Sequence, residues 1–368
     1  MTTTFAVDIE ACRSRQQRLL AEFSHLDIEY ALLTNAESVQ WLTGAYYGPA
    51  YACAAAMDQQ GSVTVICPDH AQDQSIAADD IVSFNAQILA TFTENQPLRC
   101  MEAFLATLRN RPQHVGGEFS SLNRHWTETW QAHWVDIGPT LLRLRRRKDP
   151  DELQRMAYAN EANRAMFEYA RENIHPGIHE LDLYNSLHAV AVKQLGEPLT
   201  YFGHDFQCAS PGGPPRDRSA AAGELYILDL GVGFRGYRSD NSRTFSVDKN
   251  PTEAQQKAWS AVKELFALVE STVKPGVSCS QLYHQVQELL SPQQPWKFEH
   301  HLGHGVGLSP HETPRLNPQW DDSFEKGDFF TIEPGLYHAD LAFGLRQEQN
   351  YLVTEKGVQL LTDWLLEL

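Results

Sequence analysis

The sequence predicts two domains that mix helices and strands: an α/β first half, and a second half in which helix pairs lead into strand hairpins. Three observations carry that reading. The chain has 368 residues, long for a single hydrophobic core and enough for two. Its first half alternates short β-type runs with helical ones, as an α/β domain with a mixed or parallel sheet does. A basic stretch, LRLRRRKDP at 142–150, then marks a boundary.

Taken in order, residues 8–25 carry a helical pattern and 30–34 a strand. The strand-like runs GSVTVICP (61–68), DIVSFN (80–85), HVGGEF (114–119) and HWVDIG (133–138) follow, with a helix around Met101 to Leu108. Tyr46, Tyr47 and Tyr51 lie in a Gly-containing segment and read as packing. The basic run at 142–150 reads as a solvated face or the end of an element. Asp149 and Pro150 then form a cap and first-turn proline for a helix to about Asn173, with Leu153, Met156, Met166, Phe167 and Ala170 on one face. Further helices are predicted over 179–195, 252–273 and 280–290. His179, His188 and His284 on these helices have no ligand-like company.

Composition excludes several classes of function. A net charge of −17 repels nucleic-acid phosphate and anionic membrane surfaces, so neither is expected as a partner. The N-terminal residues lack a basic start followed by an apolar run, and no stretch approaches the roughly 20 apolar residues of a membrane span, which predicts a cytoplasmic protein. Six cysteines, Cys12, Cys53, Cys67, Cys100, Cys208 and Cys279, are scattered singly. Reduced thiols are expected, with no metal ribbon and no disulfide framework.

The stretch ELYILDLGVGFRGYRSDNSRTFSV (224–247) reads as two strands joined near Gly233 to Gly236. With Phe234 and Arg235 as the loop, Asp229 would face Asp240 across the pair. Opposed Cβ atoms are about 4.5–5.5 Å apart and like charges there repel. The apolar neighbours Tyr226, Ile227, Leu228 and Leu230 bury the strand, so a positive partner is required. The stretch from Tyr201 to Gly223, rich in Gly, Pro and charged residues, connects the first helix pair to this hairpin.

Four histidines, His300, His301, His304 and His311, crowd FEHHLGHGVGLSPHETPR (298–315). Gly303, Gly305 and Gly307 allow close backbone approach around His304. Glu333 in FFTIEPGLY (329–337) and Glu348 in GLRQEQNYLVT (344–354) sit in β-type runs where a free carboxylate would be costly. Asp229, Asp240, His304, Glu333 and Glu348 supply four carboxylates and one imidazole, enough to balance two divalent cations. Their oxygen-rich character favours manganese, cobalt or zinc.

With those strings, the chain resembles the dinuclear metallopeptidases that include methionine aminopeptidase, aminopeptidase P and prolidase. The resemblance runs from about Leu144 to the end and is nearest to Xaa-Pro dipeptidase. It implies a pita-bread α+β C-terminal domain over 144–368, and a smaller creatinase-like α/β domain over 1–143. It implies two divalent metal ions, manganese foremost. Asp229 would bind one metal through both oxygens, Asp240 and Glu348 would bridge, and His304 and Glu333 would each bind one.

The implied activity is hydrolysis of Xaa-Pro bonds in dipeptides or short peptides by a metal-bridging hydroxide, as an Xaa-Pro dipeptidase or aminopeptidase. Glu333 would move the proton and His311 would stabilise the oxyanion. His300 would line the substrate pocket, and Arg315 would hold a dipeptide's free carboxylate. Ser242 would hydrogen-bond a ligand carboxylate, and Arg346 would support Glu348. A homodimer is implied by the same likeness.

One feature departs from the pattern: no histidine occurs between Cys208 and Leu228, where the active relatives carry one. His204, Arg216 or Arg218 are candidates to take its place. Two alternatives therefore stand beside the peptidase: a pita-bread hydrolase or lyase of a small non-peptide metabolite, and a catalytically silent binding module.

Overall fold

The structure is a computed structural model and describes residues 5–364 and 367–368. The chain divides into two compact units, the first ending at Arg145 and the second beginning at Arg146. No helix among the described residues is long and apolar enough to cross a membrane. All six cysteines are buried, and none forms a disulfide among the described residues.

The first unit opens with α1 (Ile9–Leu20), α2 (Phe23–Leu26), β1 (Tyr30–Leu33), α3 (Ala36–Thr43), β2 (Ala54–Asp58), β3 (Val63–Pro68) and β4 (Asp80–Phe84). It continues through β5 (Gln87–Ile88), β6 (Thr91–Phe92), α4 (Gln96–Leu105), β7 (His114–Gly117), α5 (Arg124–Thr129) and β8 (His133–Asp136) to α6 (Gly138–Arg146). Six strands form a mixed sheet in the order β4-β3-β2-β1-β7-β8. β1, β7 and β8 run parallel, while β2 is antiparallel to both its neighbours. β2 escapes the sequence reading because Ala54, Ala55 and Ala56 have weak strand preference. Full burial in mid-sheet overrides it.

The second unit repeats one plan, two helices followed by a sheet. α7 (Pro150–Asn173) starts from a capping box of Asp149 and Glu152 with proline in the first turn, and α8 (Glu180–Leu195) ends on Gly196 at φ 71°. β9 (Tyr201–Cys208), β10 (Leu225–Phe234), β11 (Tyr237–Arg238) and β12 (Asn241–Ser246) form the first sheet. α9 (Glu253–Thr272), capped by Thr252 and Gln255, and α10 (Cys279–Leu290), capped by Ser278, begin the second half. β13 (Gly303–Gly305), β14 (Glu312–Leu316), β15 (Phe329–Ile332), β18 (Gln349–Val353) and β19 (Val358–Leu360) make its sheet, with β16 (Gly335–Leu336) and β17 (Leu345–Arg346) as a separate pair. This is the α+β plan that the resemblance implies. Its core packs Val262, Leu265 and Val269 of α9 with Leu282 and Val286 of α10 against Phe330, Ile332 and Tyr351 of the sheet.

Two expectations are corrected. The basic run at 142–150 does hold the end of an element, α6, but it is only partly solvated: Arg143 and Arg147 are exposed, whereas acids of the second unit capture Arg146 and Lys148. Arg146 makes a two-pronged pair with Asp328 at 3.0 and 2.7 Å, and Lys148 reaches Glu312 at 2.7 Å with both side chains at most 3% exposed. The hairpin also turns one residue later than expected. Phe234 pairs with Tyr237, so the loop is Arg235 and Gly236, at φ 48° and 87°. Gly236 tolerates the positive φ that such a two-residue turn demands, and Asp229 consequently faces Ser242 rather than Asp240.

Candidate metal centre and its walls

The corrected register still brings the two aspartates together. In an antiparallel pair, the residue two positions from the direct partner lies on the same face as a diagonal neighbour. Asp229 on β10 opposes Ser242, so Asp240, just before β12, is that diagonal neighbour. The second sheet supplies the rest: His304 from β13, Glu333 directly after β15, and Glu348 directly before β18. The sheets are stitched at this point. Glu348 N donates to the Ser242 carbonyl at 2.9 Å, and Asn350 Nδ2 donates to the Asp240 carbonyl at 2.8 Å.

Asp229, Asp240 and Glu348 each offer an oxygen within 4.8 Å of the others, all buried. Both Glu348 oxygens and Asp229 Oδ1 have no hydrogen-bond partner, and among the described residues no other carboxylate oxygen is so buried and unpartnered. Burial, reinforced by the neighbouring carboxylates, pushes the Asp240 and Glu348 carboxyls well above their ordinary range. Burial also raises Asp229, against the pull of Arg346. A protein gains nothing by packing unsatisfied carboxylates together. The donor set fits divalent cations, whose charge would answer the excess.

The histidines are oriented by their second nitrogens. His304 Nδ1 is 3.0 Å from the Gly305 carbonyl, so that nitrogen carries the proton. Nε2 is then free to face Glu333 Oε1 at 3.4 Å and Asp240 Oδ2 at 3.7 Å. Burial lowers the His304 pKa to about 4, which keeps the imidazole neutral. Its tight seat depends on glycine: a Cβ at Gly303 would stand 2.0 Å from the Thr331 carbonyl oxygen, and one at Gly305 2.2 Å from that of Thr313. His311 stacks on His304, centroids 3.8 Å apart. His301 Nε2 reaches Glu333 Oε1 at 2.8 Å. Burial alone would raise the Glu333 carboxyl, but His301, with His304 and His300, holds it far below the ordinary range.

A model of metallopeptidase family M24 matches residues 154–355, more than half of the chain. The chain belongs to metallopeptidase family M24. A creatinase/prolidase N-terminal domain model matches residues 15–146. An uncharacterized peptidase of Staphylococcus aureus strain USA300 is 30% identical over 236 residues, 62% of this chain and 66% of that relative. The matched stretch thus spans just under two thirds of the relative's length. One from strain bovine RF122 / ET3-1 is 26% identical over 94% of this chain and 98% of the relative. Among solved structures, an Xaa-Pro dipeptidase from Bacillus anthracis superposes with TM-score 0.82 at 23% identity, covering 97% of this chain and 99% of the other. An X-Pro aminopeptidase from Thermotoga maritima gives 0.77 at 20%, covering 95% and 97%. At these identities the likeness is one of fold.

Around the centre of this M24 chain stand residues that the sequence reading did not single out. Asp205 on β9 directly opposes Asp229. Arg346 bonds Asp205 and lies 3.0 Å from Asp229 Oδ2, so one guanidinium holds two aspartates. Arg346 was expected to support Glu348; it does so through its charge and not by a hydrogen bond among the described residues, because β17 aims it at β9 and β10. Ser242 likewise bonds Arg346 Nε, at 3.4 Å, rather than a ligand carboxylate. Tyr337 OH lies 2.8 Å from His300 Nε2, while His300 Nδ1 faces the His301 carbonyl at 2.7 Å. Burial lowers the His300 pKa to about 4, so it acts as a neutral acceptor for the tyrosine. His300, His301, Glu333, Tyr337, Phe343, Pro211 and Arg346 line a cavity of about 490 Å³.

Arg315 stands apart from this group. Its Nε and Nη2 bond Asp322 at 2.8 and 3.1 Å, and its guanidinium lies over Trp320. The carboxylate role expected of it is therefore corrected: its fork is already taken. Of the three candidates for the missing histidine, Arg216 is paired with buried Glu180 at 2.6 Å and Arg218 with Glu224 at 2.8 Å. His204 is the one at the centre, its Nε2 3.8 Å from Asp240 Oδ2. β9 delivers it, and alternation within YFGHDFQC was the one available signal for that strand.

Proposed function

We propose that this M24 member hydrolyses Xaa-Pro bonds in dipeptides or short peptides, as a dipeptidase before an aminopeptidase. The observation that carries the reading is the buried carboxylate cluster with three unpartnered oxygens, together with Glu333, which lines the cavity of about 490 Å³. Asp229, Asp240, His304, Glu333 and Glu348 would hold two divalent cations, manganese before cobalt or zinc on the oxygen-rich set. Bound there, the cations supply Lewis acidity toward the scissile carbonyl and lower the pKa of water toward neutrality.

The chain's own groups do the rest. Glu333, oriented by His301 at 2.8 Å, takes the proton of the attacking water and passes it to the leaving nitrogen. His311, stacked on His304, hydrogen-bonds the carbonyl oxygen as negative charge develops on it. His300, fixed by Tyr337, forms a neutral wall that excludes water. The imide nitrogen of an Xaa-Pro bond has no hydrogen, so the site needs no acceptor for one. Solved proteins sharing the fold include an Xaa-Pro dipeptidase and a prolidase, which favours the same substrate class.

Turnover of Xaa-Pro dipeptides and Xaa-Pro tripeptides by manganese-loaded protein decides the matter. Hydrolysis of either class is expected, and failure of both overturns the reading. Glu333→Gln should abolish turnover by about a thousandfold or more, since it removes the proton carrier. An unaffected rate would refute its role.

A further inference from the structure

A dipeptidase must recognise a free carboxylate one residue beyond the scissile bond, and the need for such an anchor in this chain rests on the dipeptidase reading. The nearby arginines are mostly committed: Arg315 to Asp322, Arg216 to Glu180, Arg235 to Glu197, and Arg346 to Asp205 and Asp229. Arg238 differs. Among the described residues it takes part in no ion pair, and its one side-chain hydrogen bond runs from Nε to the Leu308 carbonyl at 3.3 Å. Its guanidinium carbon lies 4.0 Å from the centroid of the Tyr201 ring.

Its place in the sheet aims it at the centre. Tyr201, Gly233 and Arg238 form one row across β9, β10 and β11, and Asp205, Asp229 and Ser242 form another. Asp240 belongs to the row between, opposite Gly231, because the register is continuous from Phe234–Tyr237 to Leu230–Asn241. Residues two apart on a strand share a face, so Arg238 stands on the face of Asp240 and Asp229. Gly233 has no side chain, and the guanidinium crosses it to reach Tyr201. The Tyr201 hydroxyl then lies 3.2 Å from both ring nitrogens of His204. This lip is open: the His204 side chain is 28% exposed, against 6% for Asp240.

The spacing suits a dipeptide. Two residues along a strand span about 6.7 Å. One residue of extended peptide, about 3.4 Å, plus a hydrogen bond of about 2.9 Å covers nearly the same length. We propose that Arg238 anchors the C-terminal carboxylate of the substrate through its terminal N–H groups, with the Tyr201 ring fixing the guanidinium plane. The cavity beside His300, Tyr337 and Phe343, which Glu333 also lines, takes the residue before the scissile bond. A planar fork matched to a carboxylate is what guanidinium offers and ammonium does not.

The test compares Ala-Pro with its C-terminal amide on the manganese-loaded full chain, as wild type, Arg238→Gln and Arg238→Lys. Calorimetric binding of the reduced-bond analogue, with CH2–N in place of CO–N, is measured in parallel as acid and amide. In Arg238→Gln the acid-over-amide preference in kcat/KM should fall by about 10- to 100-fold, through KM, with a matching loss in the acid analogue's Kd. Arg238→Lys should fall between. An unchanged preference, or equal losses on acid and amide, overturns the anchor while leaving the peptidase reading intact. If wild type cleaves no Xaa-Pro substrate, the peptidase reading fails, and analogue binding still judges Arg238. Equal acid and amide affinities in wild type, or no binding of either, overturn it.

Discussion

Glu118 in the first unit and Glu348 in the second are both buried glutamates, 4% and 1% exposed, and their surroundings answer burial in opposite ways. Glu118 Oε1 accepts from Ser38 Oγ at 2.6 Å, and its Oε2 accepts from the backbone N–H groups of Thr34 and Asn35, both at 3.1 Å. It ties the turn between β1 and α3. Glu348 has no hydrogen bond to either oxygen. Burial raises both carboxyls, but Ser38 and the turn amides work against the rise at Glu118, whereas Asp240 and Asp229 add to it at Glu348. A satisfied buried carboxylate belongs to the architecture. One left unsatisfied beside two others is held by the fold for a charge from outside.

The contrast breaks if the two glutamates respond alike to the same substitution. The largest expected difference is catalytic. Glu348→Gln should lower turnover by about a thousandfold or more because a cation loses its ligand, while Glu118→Gln should stay within a few-fold per folded molecule. Assays at equal folded concentration check this.

Smaller, and opposite in sign, are the effects on metal-free stability. Glu118→Gln strips an accepted hydrogen bond and should cost about 1–3 kcal/mol. Glu348→Gln removes a charge from a repelling cluster and should stabilise by about 1–3 kcal/mol. Urea midpoints in chelator measure both, and equal signs would erase the distinction.

The pH dependence is smaller still and sharpens the same contrast. A carboxyl whose folded pKa lies above its unfolded value contributes stability below about pH 4, and that stability is lost as pH rises through the folded value. Asp229, Asp240 and Glu348 are all shifted upward, whereas Glu333 and the imidazoles of His304, His300 and His311 are shifted downward and oppose them. The carboxyl contribution to metal-free stability should therefore be lost on going from pH 5 to pH 8, against a gain from the imidazoles, and manganese should suppress the carboxyl loss by taking the place of the protons. Glu118, also raised, contributes equally with and without metal, so the difference isolates the centre. Denaturation at the two pH values, with chelator and with manganese, gives the comparison.

The legible parts of the sequence were those in which chemistry and local pattern coincide. The glycines around His304 announce close packing, and Asp229 in an apolar strand announces a partner. Asp149 with Pro150 marks the start of α7. Partnerships across the chain were not legible. The basic run ending at Lys148 reads as solvated until Asp328 and Glu312 are folded against it, and Arg315 reads as a free fork until a tight turn brings Asp322 back seven residues later. β9 was hidden because Gly203, His204 and Asp205 interrupt its apolar residues and because it opens a stretch, 201–223, rich in Gly, Pro and charge. With it went Asp205 and Tyr201, and so the setting of Arg238. The hairpin register erred by one turn position, since only the structure puts Arg235 at positive φ.

The most direct test of the centre is metal stoichiometry. After reconstitution with manganese and removal of free ion, wild type should retain two equivalents per chain and Glu348→Gln fewer than one. Wild-type protein that binds less than one equivalent, or Glu348→Gln that binds as much as wild type, would contradict the account.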